Sequence, residues 1–486
     1  MLFNSYVYIF IFLPVVFFIY FYLNKKQLTT ASQGFLFFSS MVFYCWWKLE
    51  YLPLILGSIL FNYVLGDSLA KGKENSKISR KSMLLIGISA NVLLLGFYKY
   101  TDFLIGNINV VIGQKIPLLE LTLPLAISFF TFQQIAYLVD SYRGETKENN
   151  LLHYAVFVTF FPQLIAGPIV HHKEMMPQFD NHKKKSINLK NISQGLFIFS
   201  VGLFKKVVIA DTFALWATHG FDHAAKLGLI DAWATSLSYS LQLYYDFSGY
   251  TEMAIGAALF FNIKLPINFN SPYRALDIQD FWRRWHITLS RFLRDYVYIP
   301  LGGNRQGRFR TAGNLMLTFV IGGLWHGAGW TFVFWGFLHG LAIVIHRTWR
   351  SFGFRCNRIL AWIITFNFVN IAWVFFRAKT WPDAIKVLRG MFGFEDIMLP
   401  EILSNKLGWL TEYGVNFTTN FLKLIPVYDK FHSGLTIIAI VFIILTWIPK
   451  RAAFKPNLPI AFVNSLLFVV SLFFLVRKSE FLYFGF

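Results

Sequence analysis

Charged residues are scarce in this 486-residue chain, and their scarcity argues against a soluble enzyme. Asp, Glu, Lys and Arg make up 14% of the residues, against roughly 25% in soluble globular domains. Hydrophobic residues make up 56% and aromatic residues 19%, and the mean hydropathy is +0.50. This composition indicates a membrane protein.

Cysteine is also scarce, and several familiar catalytic signatures are absent. The two cysteines, Cys45 and Cys356, lie in or beside apolar segments and imply neither a disulfide framework nor a thiolate metal site. The chain has no G-x-S-x-G, H-E-x-x-H, Walker A or C-x-x-C sequence, so hydrolase, P-loop and zincin interpretations lose their support. We expect no bound metal and no bound cofactor.

Acidic residues are the scarcer of the two charged classes. The chain has 25 Asp and Glu against 45 Lys and Arg, which gives a formal net charge of +20. A nucleic-acid partner is not predicted, because the longest basic run is the KKK at positions 183–185. In a membrane protein with many spans the excess arises because cytoplasmic loops accumulate Lys and Arg. Membrane lipids are the expected surroundings.

Long apolar stretches recur along the chain and predict an all-α, polytopic integral membrane protein. A stretch of about 20 apolar residues is long enough to cross a bilayer as a helix. We expect about eleven transmembrane helices plus re-entrant and amphipathic helices, in one membrane-embedded domain over residues 1–486. The stretches are residues 5–23, 35–65, 83–98, 118–139, 151–170, 194–216, 229–261, 315–345, 359–376, 434–448 and 458–476.

Three of these stretches are expected to be interrupted. Residues 35–65 contain Pro53 with charged neighbours, and residues 229–261 contain Asp246 and Gly249, so each is long enough to be two spans. Residues 151–170 contain two prolines and a glycine and lie between a mixed and a basic loop. We therefore expect that segment to be re-entrant rather than spanning.

The charges of the loops predict the orientation. Residues 263–314 carry nine basic and three acidic side chains, and residues 71–81 carry five basic and one acidic. Both should be cytoplasmic, the former as an amphipathic basic segment. Residues 390–433 carry more acids than bases and should form an exported loop.

An imidazole surrounded by glycines and indoles is the first candidate site. His326 lies in the sequence GGLWHGAGW at positions 322–330, within a long apolar segment, and Trp325 and Trp330 flank it. A neutral imidazole there could act as a general base for a hydroxyl acceptor. The alternative is that His326 only bonds across helices and that the glycines permit close packing.

The second candidate site is a basic segment at positions 280–295. Taken as one helix, it places His286 with Trp and Leu side chains on one face and spreads its arginines around the rest. This predicts an amphipathic helix at the membrane surface, with His286 on its buried side. The arginines could hold lipid phosphates or the phosphates of an acyl donor; they are Arg283, Arg284, Arg291 and Arg294. A purely structural, lipid-facing helix is the alternative.

Asp246 is a third candidate, because an unpaired carboxylate in an apolar stretch is costly. It is expected to orient an imidazole or to bind an arginine of the basic segment, and a structural form of that pairing is the favoured one. His339 is an intermediate candidate, because it lies 13 residues after His326 and hence on roughly the opposite helix face. The other histidines lie in loops or at span ends and are given no catalytic role.

These clusters, in this order, resemble the membrane-bound O-acyltransferase family, most closely its bacterial branch that contains the alginate O-acetylation membrane protein. The similar motifs cover essentially the whole chain. They are FFPQLIAGPI at 160–169, DFSGY at 246–250, NFNSPY at 268–273, DFWRRWHITLS at 280–290, RDYVYIPLGG at 294–303, LWHG at 324–327 and FLYFGF at 481–486.

The resemblance implies a function and a site. In that family the histidine of the Trp-His-Gly motif is catalytic and an earlier residue is its partner, which correspond to His326 and His286 here. It also implies helices around a thin centre, through which an acetyl group passes from a cytoplasmic thioester, such as acetyl-CoA, to an exported polysaccharide. The expected location is the bacterial inner membrane, and the expected partner is an exported accessory acetyltransferase.

Two other functions remain open from the sequence. An enzyme that transfers D-alanine to teichoic acid would share the two histidines. A transporter of a lipid-linked intermediate would also need polar residues within the membrane. The transporter has less support, because no inverted repeat is visible in the chain.

Overall fold

The computed structural model describes residues 1–71, 78–146, 148, 150–181, 184–395, 397–418, 458–476 and 482. Helices dominate this part of the chain, which confirms the all-α prediction. The α-helices are α1 (Leu13–Lys25), α2 (Thr29–Cys45), α3 (Leu52–Lys71), α4 (Arg80–Ile112), α5 (Ile127–Arg143), α6 (Leu151–Thr159), α7 (Phe161–Leu164), α8 (His172–Asp180), α9 (Leu189–Phe204), α10 (Asp211–Thr218), α11 (Leu229–Phe260), α12 (Ile278–Arg284), α13 (Ile287–Leu293), α14 (Gly307–His326), α15 (Trp330–Ser351), α16 (Arg358–Arg377), α17 (Trp381–Met391), α18 (Ser404–Leu407) and α19 (Leu458–Phe474).

Short irregular and extended elements join these helices. π-Helical segments occupy Tyr8–Phe12, Lys205–Ala210, His219–His223 and Arg294–Tyr298. The strands β1 (Ile397–Pro400) and β2 (Val415–Thr418) form a parallel pair. This pair is a small departure from the all-helical expectation and lies in the predicted exported loop, whose residues 419–433 lie outside the described residues.

Four helical segments of the described residues are long and apolar enough to cross a membrane. They are Tyr8–Lys25, Leu49–Lys71, Arg80–Ile112 and Arg358–Arg377. The number of eleven crossings stays a prediction, and the predicted span at residues 434–448 lies outside the described residues. The stretch at residues 35–65 divides into α2 and α3, as expected from Pro53 and its charged neighbours.

The predicted interruption of residues 229–261 is wrong, because α11 runs unbroken for 32 residues. Gly249 is used for close packing rather than for a break. A Cβ atom at Gly249 would lie 2.7 Å from the carbonyl oxygen of Gly202 on α9. The charge of Asp246 is accommodated within the helix bundle because Lys206 lies 2.6 Å away. The helix therefore continues through both residues.

The chain turns back within residues 151–170, and the re-entrant interpretation of this segment stays a prediction. α6 is only nine residues long, about 13.5 Å and less than half of a bilayer's hydrocarbon core. The chain then returns to its starting end, because Nε2 of His172 lies 3.1 Å from Oε2 of Glu148, just before α6. This return is the geometry that a re-entrant segment requires.

The single amphipathic helix predicted at residues 280–295 is wrong. α12 ends at Arg284 and α13 begins at Ile287, and His286 between them has a left-handed backbone with φ of 42°. The chain at Asn268 stabilises this break: its carbonyl oxygen accepts the N–H of Ile287 at 3.0 Å, and its side-chain oxygen accepts the N–H of Thr288 at 3.2 Å. A helical-periodicity argument does not detect such a long-range contact.

The two short helices lie inside the protein rather than flat on its surface. Trp282, Trp285, Leu289 and Phe292 are all buried, so the predicted buried side is correct although the helix is broken. The arginines of the segment remain partly or fully exposed. The segment from residue 263 to 314 therefore combines an exposed basic part with a buried part that reaches the core.

Candidate active site

His326 is the last residue of α14, immediately before a tight reversal into α15. The two helices pack against each other backbone to backbone, since a Cβ at Gly323 would lie 2.3 Å from the carbonyl oxygen of Phe332. His326 is 3% exposed. Because the chain reverses after it, His326 and His339 do not share a helix, and the expected opposite-face relation between them is wrong.

His286 lies beside His326, with 6.3 Å between the ring centroids. The residue pattern placed the two histidines in separate clusters, the family resemblance predicted that they are partners, and the fold brings them together. The left-handed backbone at His286 is uncommon for a side chain with a Cβ atom. It is held by the contacts of Asn268 described above, and the imidazole is fully buried.

The hydrogen bonds of Asn268 define the tautomer of His286. Oδ1 of Asn268 accepts the backbone N–H of Thr288, which is always a donor, so this atom is an oxygen. Nδ1 of His286, 3.2 Å from the same oxygen, therefore carries the proton and donates it to that oxygen. Nε2 is then left as an acceptor, and it has no hydrogen-bond partner among the described residues.

Aromatic side chains surround the two imidazoles. Trp325 stacks on Phe132 with ring centroids 5.1 Å apart, and its ring lies 4.9 Å from that of His326. Trp335 lies 5.2 Å from His326 on another side, and Phe247 lies 4.7 Å from His286. These rings leave little room for water, so electrostatic interactions and hydrogen bonds to the imidazoles are stronger than in solvent.

A cavity of about 290 Å³ reaches His326. Its wall includes residues 122–126, which precede α5 and are not helical. The apolar stretch at residues 118–139 is therefore helical only from Ile127 onwards. The lining of the cavity includes residues just before α3 begins, at the opposite end of that helix from the basic residues 71–81. The lining contains two lysines and no carboxylate; it consists of Tyr44, Trp47, Lys48, Tyr51, Lys99, residues 122–129, Ile165, Trp325 and His326.

Asp246 lies outside this site. Its carboxylate forms an ion pair with Lys206 at 2.6 Å and accepts the backbone N–H of Leu482 at 3.2 Å. Lys206 in turn binds Asp211 at 2.8 Å. The predicted partner, an imidazole or an arginine of the basic segment, is therefore wrong, because a closer lysine on the neighbouring π-helical segment neutralises the charge.

Three of the four predicted donor-binding arginines are already paired with carboxylates. Arg284 binds both oxygens of Asp280 at 2.9 Å. Arg291 binds Glu174 at 2.8 and 3.0 Å, and Arg294 binds the adjacent Asp295. Arg283 is exposed and makes no ion pair within the described part of the chain. A role in donor binding stays a prediction, and among the four it fits Arg283 best.

The two predicted tryptophans differ in position. Trp325 is buried beside both imidazoles and lines the cavity, whereas Trp330 is 55% exposed and donates its indole N–H to Asn107 at 2.8 Å. Sequence reasoning assigned no role to Lys99, which lines the cavity beside His326. The sequence does contain a signal for this residue: Lys99 directly follows the apolar stretch 83–98. The stretch is predicted to end there, but α4 continues to Ile112, so Lys99 lies within the helix.

The fold and the site define a helical integral membrane protein with two neighbouring histidines beneath a cavity. The chain belongs to the membrane-bound O-acyltransferase family, whose pattern it matches over residues 147–380. That range contains both histidines. The chain is therefore an O-acyltransferase.

Its relatives include enzymes with different acceptors. A peptidoglycan O-acetyltransferase of Helicobacter pylori is 54% identical over 429 residues, which cover 82% of this chain and 81% of that protein. A probable alginate O-acetylase AlgI of Pseudomonas aeruginosa is 41% identical over 83% of this chain and 77% of its own length. A teichoic acid D-alanyltransferase of Bacillus subtilis is 28% identical over 52% of this chain and 69% of its own length.

Proposed function

We propose that the protein O-acetylates a glycan of the bacterial cell envelope, with the acetyl group supplied by a cytoplasmic thioester such as acetyl-CoA. The observation that carries this proposal is the pair of buried imidazoles, 6.3 Å apart, of which His326 lines a cavity. A general base, an apolar enclosure and access for an acceptor are the parts that acyl transfer to a hydroxyl requires.

His326 is the general base in this proposal. A ring nitrogen takes the proton of the acceptor hydroxyl as its oxygen attacks the acyl carbon. The bond from that carbon to the donor sulfur then breaks, and the proton passes to the departing thiolate. His286 presents Nε2 as a hydrogen-bond acceptor because Asn268 holds the proton on Nδ1, and it orients the reacting groups from the other side.

The acceptor is an envelope glycan, and peptidoglycan is the favoured member of that class. The relative at 54% identity is named for peptidoglycan and the relatives near 40% for alginate. Alginate and other exopolysaccharides therefore rank second. D-alanyl transfer ranks third, since that relative matches only about half of the chain. A transport function without catalysis has no support from these names.

The location and partners follow from the same proposal. The protein lies in the bacterial inner membrane as a multi-pass protein, with residues 263–314 on the cytoplasmic side, where the exposed basic side chains meet the anionic donor. An exported accessory acetyltransferase receives the acetyl group and modifies the polymer. The cavity at His326 is the side from which such an acceptor approaches.

The test compares donors and products directly. Purified protein in detergent is incubated with radiolabelled acetyl-CoA or with a D-alanyl carrier-protein thioester, and release of free thiol is measured for each. In cells, a deletion strain is examined for O-acetyl groups on muropeptides and on secreted polysaccharide. Loss of muropeptide acetylation supports the proposal; loss of only polymer acetylation selects the second acceptor. Thiol release from the D-alanyl thioester alone would contradict it.

A further inference from the structure

Lys99 is the one charged side chain among the cavity-lining residues that contacts the helix carrying His326. It lies near the middle of α4, a helix long and apolar enough to span the membrane. Its ammonium group makes no ion pair with a carboxylate of the described residues; its hydrogen bonds go to Trp325, His326 and Ser128. A lysine at such a depth is costly and is a functional hypothesis by default.

Its contacts are with the end of α14. Nζ of Lys99 donates to the carbonyl oxygens of Trp325 at 2.5 Å and His326 at 3.1 Å. The hydroxyl of the next residue, Tyr100, donates to the carbonyl of Leu324 at 2.6 Å. The carbonyl of Gly323 accepts the N–H of Gly327 within the chain reversal.

These bonds satisfy all four carbonyl groups that a helix leaves unpaired at its C-terminus. Lys99 and Tyr100 supply the donors for three of them. The positive charge of Lys99 also lies at the negative end of the α14 dipole, which favours it there. The last turn of α14 is therefore held from outside, by α4.

We propose that Lys99 is a positioning residue for His326: its ammonium group clamps the last turn of α14 and so fixes the catalytic imidazole at the end of the cavity. The proposal rests on the proposed function of His326 as general base. The clamp acts on the residue that bears the imidazole, because His326 itself supplies one of the two carbonyls that Lys99 holds. Displacement of a catalytic group by about 1 Å costs roughly 100-fold in rate.

The first test removes the ammonium group. Lys99→Met should lower kcat by about 100-fold, with KM for donor and acceptor changed less than about threefold. Lys81→Met, a change of an exposed lysine on the same helix, is the matched control and should leave both constants unchanged. Rates are expressed per mole of folded protein from size-exclusion chromatography. A loss of folded protein with normal kcat, or a rise in KM alone, would overturn the proposal.

The second test restores the charge chemically. Lys99→Cys, made in a background without Cys45 and Cys356, is alkylated with 2-bromoethylamine, which rebuilds a side chain of nearly lysine length with an ammonium end. The reagent can enter because Lys99 lines the cavity. Alkylation with iodoacetamide, which adds a neutral group, is the control. Recovery of kcat with the first reagent and not the second is expected; equal recovery with both would contradict a clamp that needs the ammonium.

A third measurement separates this proposal from the proposed function. Carbethoxylation of His326 by diethyl pyrocarbonate, followed by peptide mass spectrometry, reports on the imidazole without any acyl transfer. Lys99→Met should accelerate this modification at least about threefold, because a loosened helix end exposes a side chain that is 3% exposed in the intact protein. An unchanged rate would contradict the clamp even if the wild-type protein proved inactive towards every acyl donor.

Discussion

Breaking the ion pair between Lys206 and Asp246 should destabilise the protein while leaving its chemistry intact. The side chain of Asp246 is 1% exposed and that of Lys206 is 2% exposed. Lys206→Met would leave a buried carboxylate without its neutralising charge, and removal of one partner of a buried pair costs about 3–5 kcal/mol. Because Asp246 contacts neither imidazole, kcat per mole of folded protein should change less than about twofold.

The expected shift in melting temperature follows from the chain length. An unfolding entropy of roughly 2.1 cal/mol/K per residue gives about 1 kcal/mol/K for a chain of this size, and hence a decrease of about 3–5 °C. Fluorescence-detected size-exclusion chromatography after heating measures it. The double variant Lys206→Met/Asp246→Asn should recover part of the loss, because Asp246→Asn removes the more deeply buried of the two carboxylates that Lys206 neutralises.

A matched control is the exposed pair Lys71 and Asp67, whose side chains are 47% and 23% exposed. Lys71→Met should cost no more than about 1 kcal/mol. The reasoning would be refuted if Lys206→Met left the melting temperature unchanged. It would also be refuted if this variant kept its stability but lost catalysis, since Asp246 would then act on the chemical step.

Three further predictions concern sidedness, donor binding and pH. In a cysteine-free background, an external impermeant reagent should label a cysteine introduced at Asn405 and miss one at Gln306; the reverse pattern would invert the orientation. Arg283→Gln should raise KM for the acyl donor about tenfold with little change in kcat, and a fall in kcat alone would exclude that role. Burial by itself would raise the pKa of Glu148. Hydrogen bonds from His172 and from the backbone N–H of Asn150 outweigh this effect and hold the pKa of Glu148 below its ordinary value of 4.5. The stability that ionised Glu148 contributes is therefore present above pH 4.5 and is lost as pH falls through the lowered pKa. In Glu148→Gln the melting temperature should therefore decrease less between about pH 6 and pH 3 than in the wild-type protein. An equal decrease in both proteins would contradict this.

Composition and local pattern predicted the helical membrane fold and marked the two histidines as candidates, because those features depend on nearby residues, whereas their partnership came from the family resemblance. The glycines around His326 indicated a site where helices approach closely, and the structure has such an approach at Gly323. The prolines and glycine of residues 151–170 indicated a segment that turns back, and the contact of His172 with Glu148 closes it. In these cases the local sequence determines the local shape.

The features that sequence missed depend on residues far away in the chain. The helix break at His286 is stabilised by Asn268, 18 positions earlier. The charge of Asp246 within α11 is neutralised by Lys206, 40 positions earlier in the chain. Lys99 contacts His326 across 227 positions. Periodicity gives no information about contacts of this kind.

The rate of acyl transfer in His326→Gln tests the central claim most directly. Glutamine keeps the hydrogen-bonding capacity and approximate volume but cannot take up a proton, so donor thiol release coupled to acceptor acetylation should fall by about 10² to 10⁴. His346→Gln, a change of a half-buried histidine 3.7 Å from Asp277 and away from the imidazole pair, is the control and should keep the wild-type rate. Wild-type transfer by a folded, membrane-inserted His326→Gln protein would contradict the assignment of His326 as the general base.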